Sequence, residues 1–373
     1  MVTRVMSDPS KHRAPTSRAP RSVVRRTLAA AVALTVVGVG VAAATQVPAV
    51  VDGGAASMSI SGRAATPVVE DTPQAVLPGH ELRLTKAAVA EIERQERLAR
   101  ERAAREKAER IAAREAAKQA AKVAAQPFSF QVASFNVLGS NHTAPGGERR
   151  SFPPAGTRTP QAAAVIRSHG TDLVGLQEVK PDQLSALTRM TGMVAWPGAG
   201  AADPDNSVMW DPARFELVEG STFYVTFMSR PRPQTVVRLR DRATQREFYL
   251  VNMHTSAGHD PRNTSTRVAG WDRGAAEVRA LRASGLPVLV TGDMNDRAAF
   301  FCRFLPPTGF VAAVGGSTAG GCRPPARMPV DWVVGSPDIA FSGYVIDEST
   351  VNRRISDHFY INATATVSPA DAG

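Results

Sequence analysis

Residues 288–296 read VLVTGDMND, an apolar, largely β-branched run that stops at a glycine and then presents Asp293 and Asn295. Branching at Cβ favours extended backbone, so the stretch predicts a strand over residues 287–291 whose C-terminal end carries polar side chains. The pattern recurs. Residues 128–137 (FSFQVASFNV), 172–176 (DLVGL), 248–253 (FYLVNM) and 331–334 (DWVV) are further short strand candidates. Residues 161–168 and 268–283 carry helical patterns between them. Short strands alternating with helices predict an α/β fold, and about 240 residues suffice for one sizeable core.

Polar residues fall repeatedly at the strand ends. Asn136 follows VASF, Glu178 follows VGLQ, Asn252 and His254 sit in VNMH, Asp331 opens DWVV, and Asp357 and His358 stand in ISDH. In layered α/β folds, ligands collect at strand ends, where loops converge on rigid backbone. Taken singly, each residue has an ordinary alternative: Asn136 as a turn residue, Glu178 as a helix-initiating acid, Asp293 in an Asx turn. Turn chemistry does not account for the whole set.

The segments SFNVLG (134–139), DLVGLQEV (172–179), VNMHTSAG (251–258), VLVTGDMND (288–296), DWVV (331–334) and ISDHFYI (355–361) stand in the order of a known family. Over residues 128–367 the chain closely resembles the endonuclease/exonuclease/phosphatase superfamily, the metal-dependent phosphoesterases that include DNase I-like nucleases. Residues 206–225 resemble that family's central strand region. The resemblance implies a four-layer α/β sandwich of two packed, largely antiparallel sheets. It implies a hard divalent cation, Mg²⁺ first with Mn²⁺ or Ca²⁺ as alternatives, held by Glu178 with Asn136 and Asp357.

By the same resemblance Asp293 orients or deprotonates the attacking water, and Asn295 donates to a phosphate oxygen. His358 contacts the scissile phosphate while Asp331 holds its tautomer. His254 matches a histidine used as general acid, and Asn252 supports that loop at the substrate. Arg149 and Arg150, with His142, lie in the loop after Asn136, where they either reach a phosphate or remain solvated. Arg230, Arg232, Arg238, Arg240 and Arg242 span a predicted hairpin, and alternation puts Arg238 and Arg240 on one face. That face is either a nucleic-acid backbone contact or a solvated strand. Trp196, Trp210, Trp271 and Trp332 are read as packing residues.

The 373 residues carry 44 Lys plus Arg against 34 Asp plus Glu, a net +10 that invites a nucleic-acid reading. Most of it lies elsewhere. Residues 1–27 hold seven basic residues and one acid, and residues 86–127 hold eleven and seven. Residues 128–373 hold 24 basic and 22 acidic residues, close to neutrality. Basicity therefore says little about what the catalytic region binds. Hydrophobic residues make up 43% of the chain and charged residues 21%, which excludes a wholly disordered chain and an all-membrane one.

The basic flank (1–27) precedes an uncharged apolar segment (28–51) that opens LAAAVALTVVGVGVAAA. That is an export signal, either cleaved near the Ala42–Ala44 pattern or retained as a membrane anchor. Both readings put the rest of the chain outside the cytoplasm. Residues 52–85 read as a linker. Residues 86–126 lack glycine and proline and read as a charged helical stalk. Glu93/Arg97, Glu96/Arg100, Glu101/Arg105 and Glu106/Arg110 are acid-first i,i+4 pairs in it. A solvated spacer is the simplest reading, with a dimerising coiled coil or a binder of anionic surfaces as the alternatives. The catalytic domain is assigned to residues 127–367 and a tail to 368–373. Cys302 and Cys322 flank a Pro/Gly-rich loop and are expected to form a disulfide outside the cytoplasm.

The sequence thus predicts an exported phosphodiesterase, with a nuclease as the first reading. A phosphatase or sphingomyelinase-type phospholipase acting on lipid or inositol phosphates is the same-fold alternative. A non-catalytic envelope protein working through its stalk is the alternative of another class. The complete set Asn136, Glu178, His254, Asp293, Asn295, Asp331, Asp357 and His358 argues against it.

Overall fold

The structure, a computed structural model, describes residues 85–369. The basic flank, the apolar segment, nearly all of the linker and most of the tail lie outside the described residues. Among the described residues no helix is long and apolar enough to cross a membrane.

Helix α1 (Lys86–Ala124) starts where the Thr85 hydroxyl accepts the Ala88 N–H at 3.3 Å, and it buries no side chain. Of the four anticipated pairs, Glu96–Arg100 closes at 3.1 Å among the described residues. Arg94 turns instead to Glu91, and Lys118 pairs with Glu115.

The first half of the catalytic region runs β1 (Phe128–Asn136), α2 (Ser140–Thr143), α3 (Ala155–Ser168), β2 (Leu173–Gln177), α4 (Pro181–Thr191), β3 (Val194–Trp196) and β4 (Val208–Trp210). The hairpin β5 (Phe215–Phe227) and β6 (Arg230–Asp241) leads to β7 (Glu247–His254), α5 (Pro261–Arg282), β8 (Val288–Asp293) and α6 (Ala298–Thr308). Then come β9 (Val311–Ala312), β10 (Asp331–Gly335), β11 (Ile339–Asp347), α7 (Ser349–Asn352) and β12 (Tyr360–Val367).

Helices α3 and α5 both begin earlier than their periodicity suggests. In α3, Pro160 forgoes one backbone bond, but Ala155, Arg158 and Thr159 are buried and hold the turn it would break. In α5, the Asp260 carboxylate accepts the Asn263 N–H at 2.9 Å, and Pro261 opens the first turn.

Two six-stranded sheets form, ordered β11-β12-β1-β2-β4-β3 and β5-β6-β7-β8-β10-β9. Each has one parallel pair at its centre, β1 with β2 across α3 and β7 with β8 across α5. All other neighbours are antiparallel. Phe128, Phe130, Val132 and Leu173 of the first sheet meet Phe248, Leu250, Leu289 and Val333 of the second in the middle layer. The alternate residues Phe135, Val174 and Leu176 pack on α3 and α4. Val251, Met253, Val288 and Val290 pack on α5 and α6 with Trp271 and Phe300. The result is the expected four-layer α/β sandwich. Strands covered on both faces explain why residues 128–137 alternate only partially in hydropathy.

The sheets approach each other closely at Gly175. A Cβ there would lie 2.0 Å from Thr291 Oγ1 and 2.4 Å from Asn252 Oδ1, so no side chain fits. Cys302 in α6 and Cys322 are joined by a disulfide, with Cα atoms 5.5 Å apart.

Two stability predictions follow from this packing. Gly175→Ala should overpack the inter-sheet contact and cost about 1–3 kcal/mol in denaturant unfolding. Cys302→Ser should cost about 3 kcal/mol by removing a cross-link over a separation of 20 residues. An unchanged unfolding midpoint would count against either account.

Candidate active site

Parallel register sets Asn136 beside Gln177 and His254 beside Asp293, and antiparallel register sets Asp331 opposite Asp293. The ends of β1, β2, β7, β8 and β10 therefore carry their polar residues to one end of the sandwich. Asp293 is the hub. Its Oδ2 accepts from Asn136 Nδ2 at 3.1 Å and lies 3.4 Å from His254 Nε2 and 3.5 Å from His358 Nε2. Its Oδ1 accepts the Asn295 backbone N–H at 2.9 Å.

The two histidines are in opposite states. Burial and the charge of Arg232 hold His254 well below the usual histidine value, so its ring is neutral. Arg232 Nη1 stands 3.0 Å from His254 Nδ1 and, as a guanidinium, donates there. The His254 proton is thus assigned to Nε2, facing Asp293. His358 Nδ1 lies 3.0 and 3.1 Å from the two Asp331 carboxylate oxygens. Burial works against its charge, but Asp331 and Asp293 outweigh burial and hold His358 well above the usual value. Burial pushes the Asp293 carboxyl up to about 7 against the pull of His358, and Asp331 adds to the rise.

Glu178 leaves β2 with φ at 60°, and Leu138 and Asn295 sit at 55° and 50°. Left-handed backbone at residues other than glycine costs about 1–3 kcal/mol each and clusters at functional sites. Glu178 Oε2 accepts the Gly139 N–H at 3.3 Å and lies 3.2 Å from His142 Nε2. Burial acts to raise its pKa, yet the bond to His142 and the nearby positive charge of His358 hold it well below the carboxylate range. Glu178 Oε1 has no hydrogen-bond partner among the described residues. Asp357 Oδ2 pairs with Arg149 Nε at 2.9 Å, and the fields of Asp357 and Glu178 both reach Arg149.

Glu178, Asp357 and the Asn136 carbonyl offer only oxygen, and one Glu178 oxygen is free. That chemistry fits a hard divalent cation. The Asn136 side-chain oxygen Oδ1 also accepts the Leu138 N–H at 3.0 Å. Asp293, Asp331 and His358 also place donor atoms within 4.8 Å of one another. Those atoms are already directed at each other, as the His358–Asp331 contacts show, which suits proton handling more than a metal cage.

Several residues differ from expectation. Asn252 is fully buried: its Nδ2 donates to the carbonyls of Leu176, Asn206 and Ser207, and its Oδ1 accepts from Gln177 and Thr291. It fastens the sheets together and has nothing left for substrate. Asn295 donates its amide to the Thr255 carbonyl at 2.9 Å, tying two active-site loops rather than offering that N–H to a phosphate. Arg150 is exposed and bonds the Gly147 carbonyl, so nothing places it at the site. Arg238 and Arg240 do share a face, but both pair with Glu247.

Sequence reasoning passed over Arg158, which is 1% exposed and has no carboxylate partner among the described residues. It donates to the carbonyls of Val137, Leu138, Pro153 and Ile355, pinning together the loops that carry Asn136 and His358. Gln234, also passed over, accepts the His254 N–H at 2.6 Å. His142 and Arg232 were weighed only as a loop residue and a strand cation. Gly139 leaves room for the approach of Glu178 and His142 only in the folded chain, so nothing local in the sequence announced the former.

Residues 133–358 match the Endonuclease/Exonuclease/phosphatase family. No curated protein matches the chain. Among solved structures, an endonuclease/exonuclease/phosphatase family protein from Bacteroides thetaiotaomicron is 18% identical with a TM-score of 0.52. The match covers 65% of this chain and 99% of that one. The corresponding protein from Bacteroides vulgatus is 17% identical, TM-score 0.52, over 65% of this chain and 100% of its own. The human Nocturnin catalytic domain with bound sulfate anion is 15% identical, TM-score 0.50, over 64% and 95%. At such identities the likeness establishes the fold, while the matched span contains every strand-end residue from Asn136 to His358. The chain belongs to the endonuclease/exonuclease/phosphatase family, whose members hydrolyse phosphoric esters.

Proposed function

We propose that the chain is an exported, Mg²⁺-dependent phosphodiesterase, a nuclease of the DNase I-like kind. The observation that carries this reading is Asp293 Oδ2, a buried carboxylate oxygen flanked by one neutral and one charged imidazole. Hydrolysis of a phosphodiester needs a water deprotonated in line, charge relief on the phosphate and stabilisation of the leaving oxygen. With its pKa raised to about 7, Asp293 is matched to accepting a proton from water near neutrality. His358, held by Asp331, presents a charged Nε2–H for a phosphate oxygen. A divalent cation held by Glu178 with Asn136 and Asp357 would supply Lewis-acid relief of phosphate charge.

We infer for His254 a role other than the one the family resemblance implies. A neutral, buried imidazole is a poor proton source, so it acts here as a hydrogen-bond donor through Nε2–H rather than as the general acid.

A nucleic-acid substrate is favoured over a bilayer lipid because exposed apolar side chains in residues 128–369 are scattered. Val194, Tyr224, Met228, Val311 and Val345 lie on four strands and a turn and form no apolar hairpin. The exposed disulfide supports a location outside the cytoplasm, where such bonds persist.

The test is the full chain assayed with Mg²⁺ or EDTA against plasmid DNA, RNA, sphingomyelin and inositol phosphates. DNA cleavage should need the metal and return on its re-addition; turnover confined to sphingomyelin or inositol phosphates would overturn the nuclease reading. Asp293→Ala should lower kcat by about 10²–10⁴ and His358→Ala by about 10²–10³, with unchanged circular dichroism. Because His254 donates without losing a proton, His254→Gln should retain far more activity than Asp293→Ala. Equal losses would restore the general-acid role.

A further inference from the structure

Helix α1 has no part in the site chemistry above, and its charges are unevenly spread. Lys107, Arg110, Arg114, Lys118 and Lys122 follow one another at intervals of three or four residues, the spacing that stacks side chains on one helical face. All five are exposed. At a rise of about 1.5 Å per residue they line about 22 Å of the helix. Two acids share residues 107–122. Glu115 lies at the margin of the stripe and pairs with Lys118 at 2.8 Å, while Glu109 falls on the opposite face. Among the described residues the ion pairs of α1 are Glu91–Arg94, Glu96–Arg100 and Glu115–Lys118, which leaves Lys107, Arg110, Arg114 and Lys122 without a carboxylate partner. Like charges at that spacing weaken a helix, and a bound polyanion relieves the repulsion.

We propose that this stripe docks the phosphate backbone of duplex DNA, holding a long substrate that the nearly neutral catalytic region attracts only weakly. The inference rests on the nuclease reading and deepens it, because it makes the preferred substrate a polymer. Cations set along a rod release the counterions condensed on a phosphate backbone, which drives binding without regard to sequence. A bilayer surface fits α1 less well. A helix that lies on lipid needs an apolar face to bury. Helix α1 contains no aromatic residue, and Val89, Ile92, Leu98, Ile111 and Val123 are scattered round its circumference. The face opposite the stripe carries Arg102, Arg105 and Glu109. Helix α1 ends at Ala124, just before Phe128 opens β1, whereas Asn136 closes β1 at the active site. Eight steps of about 3.3 Å put about 26 Å between the two ends of that strand. A small phosphodiester therefore cannot meet both stripe and site, and a duplex of several turns can.

The test compares two charge-matched variants of the full chain, Arg110→Gln/Arg114→Gln on the stripe and Arg102→Gln/Arg105→Gln on the opposite face. Glutamine keeps the helix propensity of arginine, and circular dichroism checks that the helix persists. Binding of a fluorescent duplex of several turns is followed by anisotropy in EDTA, over a range of salt. The stripe variant should bind about 10- to 100-fold more weakly near 0.1 M salt, and its slope of log affinity against log salt should fall by about 2. The opposite-face variant should match the native chain. With Mg²⁺, the stripe variant should raise KM for the duplex about 10-fold or more at unchanged kcat. Its turnover of bis-p-nitrophenyl phosphate, too small to reach the stripe, should not change. Equal losses in both variants, or no loss in either, overturn the proposal. So does a stripe variant that loses binding to phosphatidylglycerol vesicles while keeping its affinity for the duplex. If both variants cleave DNA with the native KM, the nuclease reading stands and the docking stripe falls. If duplex binding depends on the stripe but DNA is not cleaved, the stripe stands and the nuclease reading falls.

Discussion

The carboxamide of Asn252 is the joint on which the catalytic region depends. It sits at 0% exposure between the two sheets, with three carbonyls of one sheet's strand ends and loop accepting its N–H groups. Its oxygen accepts from Gln177 of one sheet and Thr291 of the other. A polar group buried here would be costly if left unpaired, and it is fully paired. Gly175 makes room for it. Because the joint lies one or two residues below Asn136, Glu178, His254 and Asp293, those four are held at fixed separation by two different sheets.

Above that joint, a single oxygen of Asp293 divides the site electrically. Arg232 keeps one adjacent imidazole neutral and Asp331 keeps the other charged, so identical side chains acquire different tasks from their second partners. The separation is possible because both rings are excluded from bulk water, where either would titrate near its ordinary value. Glu178 belongs to a different regime. It leaves the fold on a strained backbone, keeps one oxygen unpaired and faces outward toward the loop of residues 139–149.

The strand-end chemistry was legible because it is local: a run of β-branched residues followed by Asp or Asn says both where a strand stops and what it presents. The four-layer arrangement was implied by the family resemblance that those motifs carry. What stayed illegible depends on partners distant in sequence. Periodicity places Asn252 at a strand end but does not reveal that the second sheet covers it. Alternation put Arg238 and Arg240 on one face, yet Glu247 becomes their partner only through the register of β6 with β7, which sets it opposite Arg240. Arg158 reads as one more helical cation until four carbonyls from three loops close around it. The starts of α3 and α5 were missed because burial and a cap outweighed Pro160 and the polar residues that open α5.

The pairing of β12 with β1 sets Phe128 against Val367, the first strand of the catalytic region against its last. The first sheet is therefore incomplete until nearly the whole region has been synthesised, and β12 lies between β11 and β1 rather than at an edge. Contacts this remote in sequence carry a large loop-closure entropy and slow folding. Until β12 arrives, β1 and β11 each expose an unpaired hydrogen-bonding edge, the kind of surface that promotes misassembly. His358 precedes β12 by two positions, so the same late event that seals the sheet also delivers the charged histidine. A chain lacking β12 therefore lacks both the strand that joins β1 to β11 and the segment that positions His358.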